Sequence, residues 1–133
     1  MVYAFDTNII SFDIKNLFGI RELIEAVNPN GDEWLVPPIS LYEIKRGFYL
    51  NNSGQKLEYF NRRFAHTARA KLDVVDFELA AKIYSELIRQ GHSPEDDDIF
   101  QAAFCINRGY TLVTHNPKHF EHIPGLKYED WVK

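Results

Sequence analysis

With a single cysteine, Cys105, the chain cannot form an internal disulfide, and a reducing compartment, the cytoplasm, is the simple expectation. Nowhere is there an apolar run of the ~18 or more residues that a membrane-spanning helix needs. The opening Met1-Val2-Tyr3-Ala4-Phe5 is interrupted at Asp6 before a signal-peptide apolar region could form. The sequence also lacks a P-loop, a paired-cysteine zinc pattern and a Ser–His–Asp arrangement. His115, His119 and His122 have no thiolate partner and no His-Glu-x-x-His pattern, which argues against zinc. No repeat, low-complexity tract or Pro/Gly/Ser-rich linker divides the 133 residues, so residues 1–133 read as one domain.

Positive charge is in short supply. Fifteen Lys and Arg face nineteen Asp and Glu, a formal net charge of −4, which excludes nucleic-acid binding by overall charge alone. The basic residues are nevertheless gathered. Lys45, Arg46, Lys56, Arg62, Arg63, Arg69 and Lys71 share the stretch 45–71 with one acid, Glu58, a local excess of six. Phe48, Tyr49, Tyr59, Phe60 and Phe64 are interleaved with them. Three readings of this segment stand: plain helix core, stacking on single-stranded RNA, or a groove for an amphipathic protein segment.

Short apolar runs rich in strand formers predict strands over 2–5, 34–36, 72–75, 111–113 and 126–128. Between them, helical spacing predicts helices over 17–27, 40–50, 55–70, 77–90 and from Ser93-Pro94 to Gly109. The helix at 40 carries a capping-box signature, Ser40 with Glu43 three residues on. At 93, the pair Ser93-Pro94 predicts a cap followed by proline at the first helical position. Alternation of short strands with amphipathic helices predicts an α/β domain with a mostly parallel sheet of four to five strands.

In such a sheet, ligands bind where the carboxyl ends of the strands emerge. Asp6 follows the first strand, Glu43 lies early in the helix after the second, and Asn116 follows the strand at 111–113. Asp96, Asp97 and Asp98 open the helix that precedes that strand, so its N-terminus points to the same edge. Asp98 begins the apolar stripe and is the best ligand of the three, with Asp97 second. Clustered carboxylates repel one another unless a cation neutralises them or one keeps its proton. An all-oxygen set suits Mg²⁺ or Mn²⁺, and such ions serve phosphodiester hydrolysis.

The stretches Asp6-Thr7-Asn8-Ile9, Leu41-Tyr42-Glu43-Ile44-Lys45-Arg46-Gly47, Asp98-Ile99-Phe100-Gln101-Ala102-Ala103 and Arg108 to Asn116, ending near Glu129-Asp130-Trp131, carry a resemblance. Together they resemble the PIN-domain family and, within it, the VapC toxins of bacterial toxin–antitoxin pairs. The resemblance implies a Rossmann-like three-layer α/β/α sandwich and Mg²⁺- or Mn²⁺-dependent cleavage of RNA. It also implies a homodimer and inhibition by a cognate antitoxin protein. By position, Asp6, Glu43 and Asp98 match the family's three principal acids, as metal-holding and catalytic groups, and Asn116 falls at its fourth polar site. That site is often an acid in the family, and the position before Phe120, often acidic, is His119 here. Whether Asn116, Asp97 or His119 contributes is therefore open.

Each residue also has a structural reading. Asp6 can close a strand by turn-type bonding, Glu43 can serve only the capping box, and Asp96 suits the helix dipole. Asn116 before Pro117 is an ordinary helix start. Thr114 and Asn8 are expected to hold the acids in place. Two other functions remain beside the toxin: a PIN-type nuclease without that role, and a non-catalytic binding module.

Overall fold

The computed structural model describes residues 1–64 and 70–133; the predicted end of the basic helix, with Arg69, lies outside them. Strands β1 (Val2–Phe5), β2 (Glu33–Leu35), β3 (Thr111–Val113) and β4 (Lys127–Glu129) form a sheet in the order β2-β1-β3-β4. Each described pairing is parallel, with Ala4 opposite Leu35 on one side and Leu112 on the other. Helices α1 (Thr7–Lys15), α2 (Ile20–Glu25), α3 (Pro38–Leu50), α4 (Gly54–Phe64), α5 (Val74–Arg89) and α6 (Asp96–Arg108) complete the domain.

Successive strand residues point to opposite faces, and the two cores follow that alternation. Ala4 and Leu112 face a core with Ala80, Ile83 and Leu87 of α5 and Ile99, Ala103 and Phe104 of α6. Phe5 and Val113 face the other, with Ile9 and Ile10 of α1, Ile20 and Ile24 of α2, Ile44 of α3 and Phe60 and Phe64 of α4. Helices on both faces of a parallel sheet make the expected α/β/α sandwich.

Four expectations are corrected. Residues 72–75 do not form a strand: Asp73 caps α5, its carboxylate accepting from Val74 N at 2.6 Å, and Asp76 Oδ2 accepts from Asp73 N at 2.8 Å. That reciprocal cap outweighs the β-propensity of Val74 and Val75, both exposed on the first turn. The chain turns into α1 directly after β1, where no helix is predicted, because Asp6 accepts from Thr7 N at 2.8 Å as its N-cap. Ser40 is not a cap. Proline at the first position lets α3 begin at Pro38, leaving Ser40 inside the helix and buried. Finally, α6 starts at Asp96 after an extended Glu95 rather than at Ser93-Pro94. Three carboxylates in its first turn offset the helix dipole in place of a hydroxyl cap.

Two buried ion pairs fix helices to one another. Asp13 of α1, fully buried, accepts from Arg63 of α4 at 2.8 Å and from the Tyr59 hydroxyl at 3.2 Å. Arg63 is thus committed to the fold, and Phe60 and Phe64 to the core. Asp76 of α5 takes both guanidinium nitrogens of Arg108 of α6, at 2.8 and 2.9 Å, and the Asn107 amide at 2.8 Å. Burial opposes ionisation of Asp76, but these bonds and the Asp73 backbone outweigh it and hold its carboxyl below the usual range.

Candidate active site

The connection from β1 runs to β2 on one side, while β3 flanks β1 on the other. The crevice between β1 and β3 is therefore the topological switch point of the sheet. Asp6 leaves one of these strands and Thr114 the other. Their backbones continue the ladder, Asp6 N donating to Val113 O and Thr114 N to Glu129 O, each at 2.9 Å.

An open cleft of about 390 Å³ sits at this edge. It is lined by Asp6, Glu43, Asp98 and Asn116, the four residues singled out from the sequence, and also by Asp97 and His119. Asp96 does not line it.

Asp6, only 8% exposed, is the most constrained of the acids. Its Oδ1 accepts from Thr7 N at 2.8 Å and Gln101 Nε2 at 2.7 Å, and its Oδ2 from Thr114 Oγ1 at 2.7 Å. Three of a carboxylate's roughly four lone-pair positions are taken, which leaves about one for a ligand. The orientation of Gln101 is itself fixed, because its Oε1 accepts from buried Ser40 Oγ at 3.1 Å. A chain of polar groups thus links α3, α6 and β1. It explains why α3 carries a serine and α6 a glutamine at buried positions.

Glu43 accepts from Thr7 Oγ1 at 2.8 Å, so its carboxylate serves no capping box. Burial raises its pKa, with Asp97 and Asp6 adding to the rise and the Thr7 bond and Arg46 opposing it. Asp98 is pushed up to about 6, chiefly by burial and further by Asp6, Glu95 and Glu43, against the pull of His119. The nearest His119–Asp98 approach is 3.2 Å, from Nδ1 to Oδ2. Asn116 precedes a single 3-10 turn, Pro117–His119, without a side-chain cap bond, so the capping reading of its amide does not hold.

The roles expected for Thr114 and Asn8 differ in outcome. Thr114 binds Asp6 directly, whereas Asn8 Oδ1 accepts from His115 N at 3.3 Å. His115 Nδ1 approaches Asp130 Oδ2 at 3.0 Å, and the His122 ring stacks on His92 with centroids 4.0 Å apart. The chain's sequence reading missed Gln101, Ser40 and the Thr7 hydroxyl as parts of this arrangement. Gln101 left a signal: it stands three residues after Asp98 on the same helix face, a lone amide among apolar neighbours.

The donor set fits a hard divalent cation. Asp6, Glu43, Asp98 and Asn116 offer carboxylate and amide oxygen, with His119 beside Asp98, and a bound ion offsets both the burial and the neighbouring carboxylates that raise Asp98. Among the described residues no three His, Cys, Asp or Glu side chains already converge on one point. Ligation through water, as Mg²⁺ commonly shows, suits that spacing.

Comparison with known proteins gives one answer. Residues 3–126 match the model of the PIN domain family. The tRNA(fMet)-specific endonuclease VapC of Shigella flexneri is 30% identical, over 97% of both chains. Ribonuclease VapC2 of Haemophilus influenzae is 29% identical, over 98% of both. Among solved structures, the DNA-bound VapBC2 of Rickettsia felis aligns with a TM-score of 0.85 at 26% identity, over 98% of this chain and 99% of that one. The DNA-bound VapBC of Salmonella typhimurium aligns at 0.81 and 27%, over 98% of both.

Proposed function

Since the chain belongs to the PIN domain family, in its VapC branch, we propose that it is a divalent-metal-dependent endoribonuclease and the toxin of a toxin–antitoxin pair. The observation that carries this reading is the meeting of Asp6, Glu43 and Asp98 in one cleft at the switch point of the sheet.

In this reading Asp6, Glu43 and Asp98 hold Mg²⁺ or Mn²⁺, directly or through water, and Asn116 orients a ligand or water. When bound, such an ion supplies charge for the phosphate oxygens and makes a coordinated water more acidic. The protein's contribution is placement. Gln101, Thr114 and the Thr7 backbone hold the Asp6 carboxylate in a single orientation, and the Thr7 hydroxyl does the same for Glu43. His119 beside Asp98 leaves the cleft with one ring nitrogen where the family often has an acid.

Lys45, Arg46, Lys56, Arg62 and Lys71 are the described members of the basic stretch left to position the RNA backbone, since Arg63 is spent on Asp13. On the outer face of α3, Tyr42, Tyr49 and Leu50 stand exposed beside Lys45 and Arg46. A second copy or a cognate antitoxin would cover such a face. A reducing, cytoplasmic setting belongs to this reading; Cys105 is a buried thiol pushed up to about 12 and therefore inert.

The test is incubation of purified protein, freed of any antitoxin, with initiator tRNA and other structured RNAs plus Mg²⁺ or Mn²⁺. Cleavage that EDTA abolishes and Asp98→Asn removes is expected. Folded protein that binds no metal and leaves every RNA intact would instead make it a binding module. Toxicity on expression, relieved by a co-expressed neighbour, separates the toxin from a nuclease without that role.

A further inference from the structure

Phe18, in the connection between α1 and α2, has φ of 57°, in the left-handed region, between Asn16 at 55° and Gly19 at 68°. A bulky aromatic residue there is strained and persists only where its surroundings over-determine it. Burial does not compensate, because Phe18 is 57% exposed. The ring is held outside the core by two other rings. It meets Phe12 edge to face with centroids 4.8 Å apart and lies 6.4 Å from His115. Phe12 meets His115 at 5.7 Å.

This trio is continuous with the acid cleft. Phe12 lines the cleft together with Asn8 and Asn116, and His115 precedes Asn116 in sequence. Asp130 and Asn8 anchor His115, the first at its ring and the second at its backbone N–H. An aromatic ledge therefore leads from the rim of the cleft to solvent, with Phe18 at its outer end.

Resting on the ribonuclease reading, we propose that this ledge stacks a base of the RNA close to the scissile phosphate, with Phe18 as a positioning residue. Because Phe12 lines the acid cleft, a nucleotide whose phosphate enters it carries its base toward these rings. Base–aromatic stacking tolerates any base because each has a π-face, so the ledge fixes the register of the strand rather than its sequence. Polar groups at its inner end, on Asn8 and Asn116, favour a nucleotide over a wholly apolar protein segment. The contacts with Phe12 and His115 hold the ring presented in the absence of substrate.

The experiment compares wild type with Phe18→Ala, Phe18→Leu and Phe18→Trp on an RNA that the wild type cleaves. The same RNA, carrying 2-aminopurine beside the cleavage point, reports stacking by fluorescence quenching. Expected are a KM raised about 5- to 100-fold in the Ala and Leu variants, a nearly unchanged kcat, loss of quenching, and recovery of both by Trp. Circular dichroism of each variant confirms folding, which an exposed ring does not control. Unchanged KM and quenching in Phe18→Ala would overturn the ledge while leaving the ribonuclease intact. Relief from a co-expressed inhibitor, with KM unchanged, would overturn it in favour of a protein partner. If the wild type cleaves no RNA, the ribonuclease reading fails first and the ledge with it.

Discussion

Gln101 Nε2 lies 2.7 Å from Asp6 Oδ1, a hydrogen bond between residues 95 positions apart that joins the helix α6 to the end of the central strand β1. The amide cannot turn over, since that would set its oxygen against the Asp6 carboxylate oxygen and remove the donor that Asp6 accepts.

Replacing Gln101 by Leu removes both bonds while roughly keeping the volume. Cleavage is expected to fall about 10- to 100-fold through misplacement of Asp6. Stability should fall by about 1–3 kcal/mol from the Ser40 and Asp6 groups left without partners. Denaturant melts and single-turnover cleavage rates read the two effects separately. Equal activity in Gln101→Leu would show that Asp6 is held adequately by Thr114 and Thr7.

Asp98 predicts a trade. Its folded-state pKa, near 6, exceeds the value of about 3.9 for an unfolded Asp. The folded metal-free protein thus binds the extra proton between those values, and its stability falls as pH rises from about 4 to 6. Above that window Asp98→Asn should stabilise the metal-free protein by about 1–2 kcal/mol while abolishing cleavage. In wild type, Mg²⁺ or Mn²⁺ at a hundred times its Kd should restore about 2.7 kcal/mol, and in the variant much less. Thermal melts at pH 7.5 with and without metal give all four values. A destabilised Asp98→Asn protein would contradict this account.

Thr7→Val removes the hydroxyl that lowers the Glu43 pKa. Glu43 then needs a higher pH to ionise, so the acid limb of the cleavage profile should move upward and the plateau fall several-fold. A profile unchanged in position would mean that Glu43 ionisation does not limit the reaction.

Away from the cleft, Asp76 gives the opposite sign. Its pKa is depressed in the folded state, so its contribution is complete above about 3.9 and is lost as pH falls through the lower folded value. Asp76→Ala strands Arg108 and should cost about 3–5 kcal/mol near neutrality. The loss should shrink in acid, as followed by urea melts across pH.

Much of the fold is legible in the sequence because β1 and β3 are short apolar runs and most helices carry an apolar stripe. The errors are local and have a common cause. Val74-Val75 reads as strand by propensity, yet the Asp73–Asp76 cap decides the backbone. Ser40 with Glu43 satisfies a capping pattern at the correct spacing, but the helix starts two residues earlier and both side chains turn to distant partners, Gln101 and Thr7. The gathering of Asp6, Glu43, Asp98 and Asn116 at one edge follows from the parallel sheet and helix polarity, whereas the strand order β2-β1-β3-β4 is not legible in the sequence. What holds those groups is not legible either. Bonds such as Thr114 to Asp6 span 108 positions, and no local pattern encodes them.

The two helical layers meet at Asp6 and Gln101, stitched by bonds from Ser40 of α3, Gln101 of α6 and Thr114 after β3. A jaw-like closing of one layer on the other would have to break Gln101–Asp6 and Ser40–Gln101 together. The cleft is consequently a fixed template, and the adjustment of shape on docking falls to the RNA. Which RNAs are cut is then decided less by letters than by how readily a loop can open its stack and bring one phosphate down to the acids.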